Sequence, residues 1–401
     1  MISSRSANSP YLFSQGKIAT GTDKTLLQLP AAFVLGFMCV YLKSFASMTP
    51  LVNLPDTMGG GLLLVGAAFL SLHILSNAKS YGVRLIPFLL ILLSTVYTYL
   101  ASGETAPFFV SLIIIAGATA GDSKSLIRLW FSVTVFFSLF LIAVYALTAL
   151  FDSDNLSYIF RNGSDPESVR FTFFFSHPNM AAATVMMICG AYMYLNYDRL
   201  DFRVYLVMLG VAFLVLLLTD SKTSTALTVL LVVCFAAQKR WNVFVKRGVR
   251  RTIATLPLVL FGLVFLAAGP LYSSSLGALL TGRVSLWHYC LANQGVTLFG
   301  QRFVATQVVD SNGWTYWYTT LDCAYASGLF VLGLCFSAFF CWCVYSRVRN
   351  GGPHLSIELP LILAMLMFGV TEVHVFSPVI CAPLLLLSGG ILPLRDLEED
   401  S

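Results

Sequence analysis

Charged side chains are scarce in this sequence. Asp, Glu, Lys and Arg together make up 11% of its 401 residues, against roughly 25% in an ordinary soluble domain. A chain of this size with so little charge cannot clothe a water-facing surface, which excludes a soluble globular class. Histidine is rarer still, at 5 residues. The 9 cysteines show neither a disulfide framework nor a metal-ligand spacing. Most fall inside apolar runs, where a thiol packs as a small apolar group. Only Cys290 lies in a long loop. There is no short internal repeat and no polar stretch long enough to be a soluble domain. Residues 1–28 are polar and rich in Ser and Thr, with no cleavable signal pattern before the first apolar run. The acidic stretch Asp396–Asp400 reads as a solvated end. The net charge of +5 comes mostly from loops between apolar runs, so nucleic-acid binding is not implied.

In place of charge there is hydrophobicity. Residues of hydrophobic type make up 57% of the chain, in recurrent runs of about the 20 residues that span a bilayer as a helix. The runs predict twelve spans, at 27–45, 58–77, 83–101, 106–120, 127–150, 178–197, 203–219, 222–239, 252–271, 317–346, 357–376 and 378–393. The fourth and twelfth are short enough to be re-entrant, and the tenth is long enough to tilt. The expected fold is an all-α polytopic membrane bundle of about 12 transmembrane helices. It would occupy 27–393, between cytoplasmic tails at 1–26 and 394–401. With the N-terminus cytoplasmic, only Lys43, Arg161, Arg170, Lys222, Arg283 and Arg302 of the 24 basic residues fall outside, as the positive-inside rule expects. Both termini are then cytoplasmic. The two long loops, 151–177 and 272–316, lie outside, and the second is expected to be partly helical.

Those few outer cations sit beside the most distinctive short motifs. The first loop runs Arg170-Phe-Thr-Phe-Phe-Phe-Ser-His177-Pro178-Asn179 into span six, with Pro178 suited to a first helical turn. Helix N-termini on this side present free N–H groups and partial positive charge, which favours an anion. The plain alternative is that Arg170 reaches lipid headgroups and His177 caps a helix. Asp220-Ser-Lys222 opens span eight. There a lysine opposes the helix dipole unless an anion is near, or else pairs with Asp220 in a turn. In the second loop, Arg283 and Trp287 are four residues apart and share a face if the segment is helical, with His288 next. Arg302, Asp310, Asn312 and an aromatic cluster follow. Aromatic rings at this depth serve either as an interfacial belt or as a platform for sugar rings. Asp322 and Glu372 lie in or near spans, where an acid lines a cavity or finds a partner. His374 follows at the outer end of span eleven. The triplet Asp152-Ser-Asp154 matches a metal-binding pattern of glycosyl transfer, but it is a common tripeptide in a polar loop entry. No metal site and no cofactor is expected.

In these motifs the chain resembles the Wzy-type polysaccharide polymerase and O-antigen ligase superfamily of bacterial membrane glycosyltransferases. The resemblance rests on Arg170…His177-Pro-Asn179, Thr219-Asp-Ser-Lys222-Thr-Ser, Gly282-Arg283…Trp287, Val309-Asp310-Ser-Asn312 with Gly328 and Gly333 after it, and Thr371-Glu372. They stand in the family's order over about residues 165–380. The chain departs at Lys222, where the family often has Arg, and near Asp310, where ligases carry His; the second departure leans toward a polymerase. The resemblance implies transfer of a glycan from a polyprenyl-diphosphate carrier on the outer face of a bacterial cytoplasmic membrane, without a metal. Arg170 and Arg283 would hold the diphosphate, because a guanidinium fork matches phosphate oxygens. Arg161, Lys222 and Arg302 would support them. Asn179, Asn312, Trp287, His288 and Glu372 would complete the substrate site. A base must take the acceptor's proton. Asp310 is the first choice, with His177 and Glu372 as alternatives. The implied partners are the polyprenyl-diphosphate-linked oligosaccharide, membrane lipid, and a chain-length regulator and flippase of the same pathway. A ligase-like transferase and a transporter of lipid-linked sugars are the competing readings. A transporter often shows related halves and broken helices near the midplane.

Overall fold

The computed structural model describes residues 29–52, 54–151, 158–160, 169–273, 283–304, 306–309, 315–318, 321–352 and 354–392. Helices dominate it. In chain order they are α1 (Ala31–Ala46), α2 (Asp56–Ser76), α3 (Leu85–Ser102), α4 (Ala106–Ala120), α5 (Ser123–Phe151), α6 (Pro178–Leu195), α7 (Phe202–Thr219), α8 (Lys222–Trp241), α9 (Arg247–Ala268), α10 (Arg283–Asn293), α11 (Ala324–Ser327), α12 (Leu334–Arg349), α13 (Leu355–Phe368) and α14 (Leu384–Leu387). The described strands form two antiparallel hairpins. In one, β1 (Tyr158–Phe160) pairs with β2 (Val169–Phe171), placing Ile159 opposite Arg170. In the other, β3 (Thr306–Val309) pairs with β4 (Thr315–Tyr318).

Among the described residues, five helices are long and apolar enough to cross a membrane: Asp56–Ser76, Ala78–Ser102 (α3 with its preceding turns), Ser123–Phe151, Phe202–Thr219 and Arg247–Ala268. These point to a membrane protein. They are mostly unburied by their neighbours and show apolar side chains outward; in α5, Phe136, Phe140, Leu147 and Leu150 are all exposed. Other helices have the opposite character. α4 and α6 are mostly buried, and so are packed in the middle of the bundle.

The expected count of about twelve spans is not reproduced, for a physical reason visible in three of the runs. The apolar run 317–346 is not one helix. From an extended Cys323 the chain makes the short α11 and a wide π turn over Gly328–Leu332, breaks at Gly333 and restarts as α12. Gly333 has φ +88°, and a Cβ there would overlap the backbone of Phe299 and Gly300; no other residue type fits that crossing. The run 357–376 stops being α-helical at Phe368. The run 378–393 is mainly turns around α14. Irregular backbone at membrane depth is tolerated only when protein covers it and pairs its polar groups. Here Ile380, Cys381, Ala382 and Leu384–Leu387 are all buried. The Trp130 indole of α5 donates to the carbonyls of Pro378 and Val379, at 2.9 and 3.1 Å. Ala324 N–H donates to Gly369 O at 2.9 Å, so the two irregular segments lie against each other.

The helices meet closely where side chains are small. α1 crosses α2 at Gly36 and Gly66. A Cβ on Gly36 would sit 2.7 Å from Leu70 Cγ and 3.0 Å from Gly66 O, the small-residue approach common between membrane helices.

One end of the bundle is rich in arginine and is tied together by a buried ion pair. Arg347 of α12 is 4% exposed and Glu358 of α13 is fully buried. Arg347 Nε donates to Glu358 Oε2 at 2.8 Å, and its Nη2 donates to the same oxygen. Nη1 reaches Gly389 O at 2.9 Å, and the Tyr194 hydroxyl donates to Glu358 Oε1 at 3.4 Å. The pair thus joins α6, α12, α13 and the final turns. Breaking one partner of such a pair costs about 3–5 kcal/mol, because the other is left buried and uncompensated.

Candidate functional site

At the opposite end of the bundle, residues far apart in sequence converge on one polar cluster. β2 delivers Arg170. The chain then turns through Phe173 and Phe174, both with positive φ (50° and 61°), an uncommon conformation for aromatic residues. Tyr145 of α5 packs on both rings, with centroids 5.2 and 5.5 Å away. This turn leads straight into His177 and α6.

His177 is the N-cap of α6. Its backbone is extended, and its Nδ1 accepts from Asn179 N–H at 3.1 Å. An accepting Nδ1 carries no proton, so the imidazole is the neutral Nε2–H form. Burial lowers its affinity for a proton, the nearby Arg170 lowers it further, and Asp322 opposes both.

Asn179, two residues on, is the hinge of the cluster. Its Oδ1 accepts from Arg170 Nη2 at 2.8 Å, and its Nδ2 donates to Glu372 Oε1 at 3.1 Å. Arg170 Nε donates to Thr219 O at 2.7 Å, closing the last turn of α7. Arginine thus does two things here: it caps a helix C-terminus, as cationic side chains often do, and it presents a guanidinium edge to Asn179. Glu372 stands in the link that follows α13, outside the α-helices. Burial raises its carboxyl from 4.5 to about 7, Asp322 adds to the rise, and Arg283, Asn179 and Arg170 pull against it. Arg283 opens α10, with Nη2 3.7 Å from Asp322 Oδ2. Their side chains are 34% and 53% exposed, so this pair contributes no more than about 1 kcal/mol.

Beside the cluster lies a cavity of about 310 Å³, reached by Leu321 and His374 from the site and by Lys43, Glu104 and Ser377 from other segments. Burial and the neighbouring His177 hold His374 down to about 4, so it is neutral near pH 7.

The structure therefore brings together Arg170, His177, Asn179, Arg283 and Glu372 from the sequence-derived set, and leaves others apart. His288 stacks on Tyr272 with ring centroids 3.9 Å apart, and its Nδ1 lies 2.7 Å from Ala268 O at the end of α9. Trp287 is buried, whereas Lys222, the first residue of α8, and Arg302 are exposed. Arg161, Asp310, Asn312 and the Asp152–Asp154 triplet lie outside the described residues. Asp322 in the cluster and His374 on the adjoining cavity are singled out by the sequence but stand outside its proposed site. The signal for Asp322 was the rule that an acid near membrane depth lines a cavity or finds a cation.

Compared with known proteins, the chain matches no family model, no curated protein and no solved structure.

Proposed function

We propose that the protein is a membrane glycosyltransferase that joins polyprenyl-diphosphate-linked oligosaccharide repeat units, on the face of a bacterial cytoplasmic membrane where the Arg170 cluster sits. The positive-inside distribution of the basic residues supports taking that face as the outer one. The observation that carries the reading is the meeting of Arg170 and Arg283, 113 positions apart in the numbering, around Glu372, with Asp322 paired to Arg283. Nucleotide-activated sugars are cytoplasmic, so an outer-face transferase takes a lipid-linked donor, and its leaving group is a diphosphate.

In this reading an acceptor hydroxyl attacks the anomeric carbon of the donor sugar. The new C–O bond forms as the bond to the diphosphate breaks, and the electron pair leaves on the lipid diphosphate. Arg170 and Arg283 stabilise the charge that builds there. Fixed donors aimed at developing charge are often the largest catalytic contribution, and losing one costs about 10² to 10³ in rate. Glu372 takes the hydroxyl proton. A carboxylate with affinity near neutrality is matched to that task, and Asn179 holds it between the two cations. This moves Glu372 ahead of Asp310 as the proposed base. The adjoining cavity, with Lys43, Glu104, Ser377 and His374 on its walls, receives sugar.

The test supplies purified lipid-linked repeat units to the reconstituted protein. A ladder of products supports a polymerase. Product formed only with a second acceptor supports the ligase-like alternative. The broken helices around Gly333 and Phe368 favour a second reading, a transporter of lipid-linked sugars, since discontinuous helices mark transporter binding sites. Movement of a labelled lipid-linked sugar across liposomes with no product formed supports that one and refutes transfer.

A further inference from the structure

A second cavity, of about 600 Å³, opens at the arginine-rich end between α3 and α12. Arg84 and Arg349 stand on its two sides, with Trp342, Tyr345 and Asn350 between. No carboxylate lines it among the described residues. Arg84 is anchored, its Nη1 donating to Ile391 O at 3.0 Å. Arg349 is exposed, with no ion pair to a described residue. Tyr345 and Trp342 are 45% and 39% exposed, amphipathic rings of the kind that settle at headgroup depth.

This cavity continues into a groove of about 430 Å³ along the same seam, which shares Ile91 and Trp342 with it. The groove is apolar, walled by Leu90, Phe339 and Ala338. From Arg349 to Cys335, where the groove ends, α12 is one continuous helix, which gives a rise of about 21 Å over those positions. Half of a bilayer's hydrocarbon core plus one headgroup layer comes to about the same length. A cationic mouth above an apolar trough one leaflet deep has the shape and charge of one kind of ligand.

We infer that the α3–α12 seam is a binding site for an anionic glycerophospholipid of the leaflet at the arginine-rich end, its phosphate between Arg84 and Arg349 and one acyl chain along Leu90, Phe339 and Ala338. Basic pockets between membrane helices recognise anionic headgroups by this chemistry. The site is remote from the Arg170 cluster and stands independently of the proposed transfer reaction.

The full chain, delipidated in neutral detergent, is titrated with phosphatidylglycerol, with phosphatidylcholine and with inorganic phosphate, following thermal unfolding and bound lipid by native mass spectrometry. Phosphatidylglycerol is expected to bind and raise the unfolding temperature, as any ligand selective for the native state does. Phosphatidylcholine should bind at least fivefold more weakly, and inorganic phosphate should have no effect at millimolar concentration. Arg349→Gln is expected to weaken phosphatidylglycerol about fivefold, the worth of one cation at a lipid surface. Ala338→Phe, which fills the groove from an exposed position, should weaken both lipids. Equal retention of phosphatidylglycerol by the wild type and both variants overturns the site, as does equal binding of the two lipids. An effect of phosphate matching that of the lipid also overturns it, by making the site one for a free anion.

Discussion

Replacing Glu372 by Gln should make the protein more stable as the pH rises, with no gain in acid. Gln keeps the oxygen that accepts from Asn179 Nδ2 at 3.1 Å and removes only the charge. In the folded protein the carboxyl holds its proton up to about pH 7, against 4.5 for the free group. Between those values the native state binds more protons than the unfolded one, so stability falls with rising pH. The loss begins above about 4.5 and is complete beyond about 7. At about 1.4 kcal/mol per unit, it amounts to about 3 kcal/mol. His177 and His374 act in the opposite sense. Both bind protons more weakly when folded, so their contribution to stability grows as the pH rises toward 6.5. Subtracting the variant from the wild type cancels those histidines and isolates Glu372. The assay is thermal unfolding of the detergent-solubilised full chain, wild type and Glu372→Gln, from pH 4.5 to 8. The two should unfold together at the acid end and separate progressively, the variant higher, up to about pH 7. A gap that is flat with pH, or one that opens toward acid, refutes the argument. The same variant should lose transfer activity, and wild-type activity should rise through the range where Glu372 ionises.

Arg170→Lys and Arg283→Lys are each expected to lower the transfer rate about 10² to 10³-fold in the repeat-unit assay, since an ammonium cannot replace the fork; full activity in either would assign that arginine to headgroup contact or helix capping. Asp310→Asn should leave chain growth near normal if Glu372 is the base, and abolish it if Asp310 is. Arg347→Met should destabilise the protein by about 3–5 kcal/mol, and the double change with Glu358→Leu should recover most of that loss, as read from denaturation midpoints. Gly36→Val should separate α1 from α2, at about 1–3 kcal/mol, with the lowered unfolding temperature as readout.

Several helices were legible from their apolar runs almost to the residue: 106–120 is α4 (Ala106–Ala120), 203–219 is α7 (Phe202–Thr219), and the start expected at 222 is the start of α8. Pro178 marked the first turn of α6, and the helix in the second loop is α10. The same signal failed at 317–346 and 378–393. An apolar run reports that a segment is removed from water, and a buried turn satisfies that as well as a helix does. What separates them is the partner of each backbone carbonyl. The partner of Pro378 and Val379 is an indole more than two hundred residues earlier, which no local pattern encodes. The site was legible in part. Arg170, Asn179 and Glu372 stood in short polar motifs, and their direct hydrogen-bonded chain is a fact of packing alone. Arg347 was readable only as one more positive charge at a helix end, because its burial depends on Glu358 across a turn.

The last described turns carry a consequence for biogenesis. Their carbonyls are met by groups made much earlier: Trp130 serves Pro378 and Val379, and Arg84 serves Ile391. A ribosome releases the N-terminal helices first, with those donors waiting for acceptors still to be synthesised. The segment 378–391 therefore docks as a keystone on helices made before it. A chain stopped near residue 370 would keep all five of its described long apolar helices and have an open core.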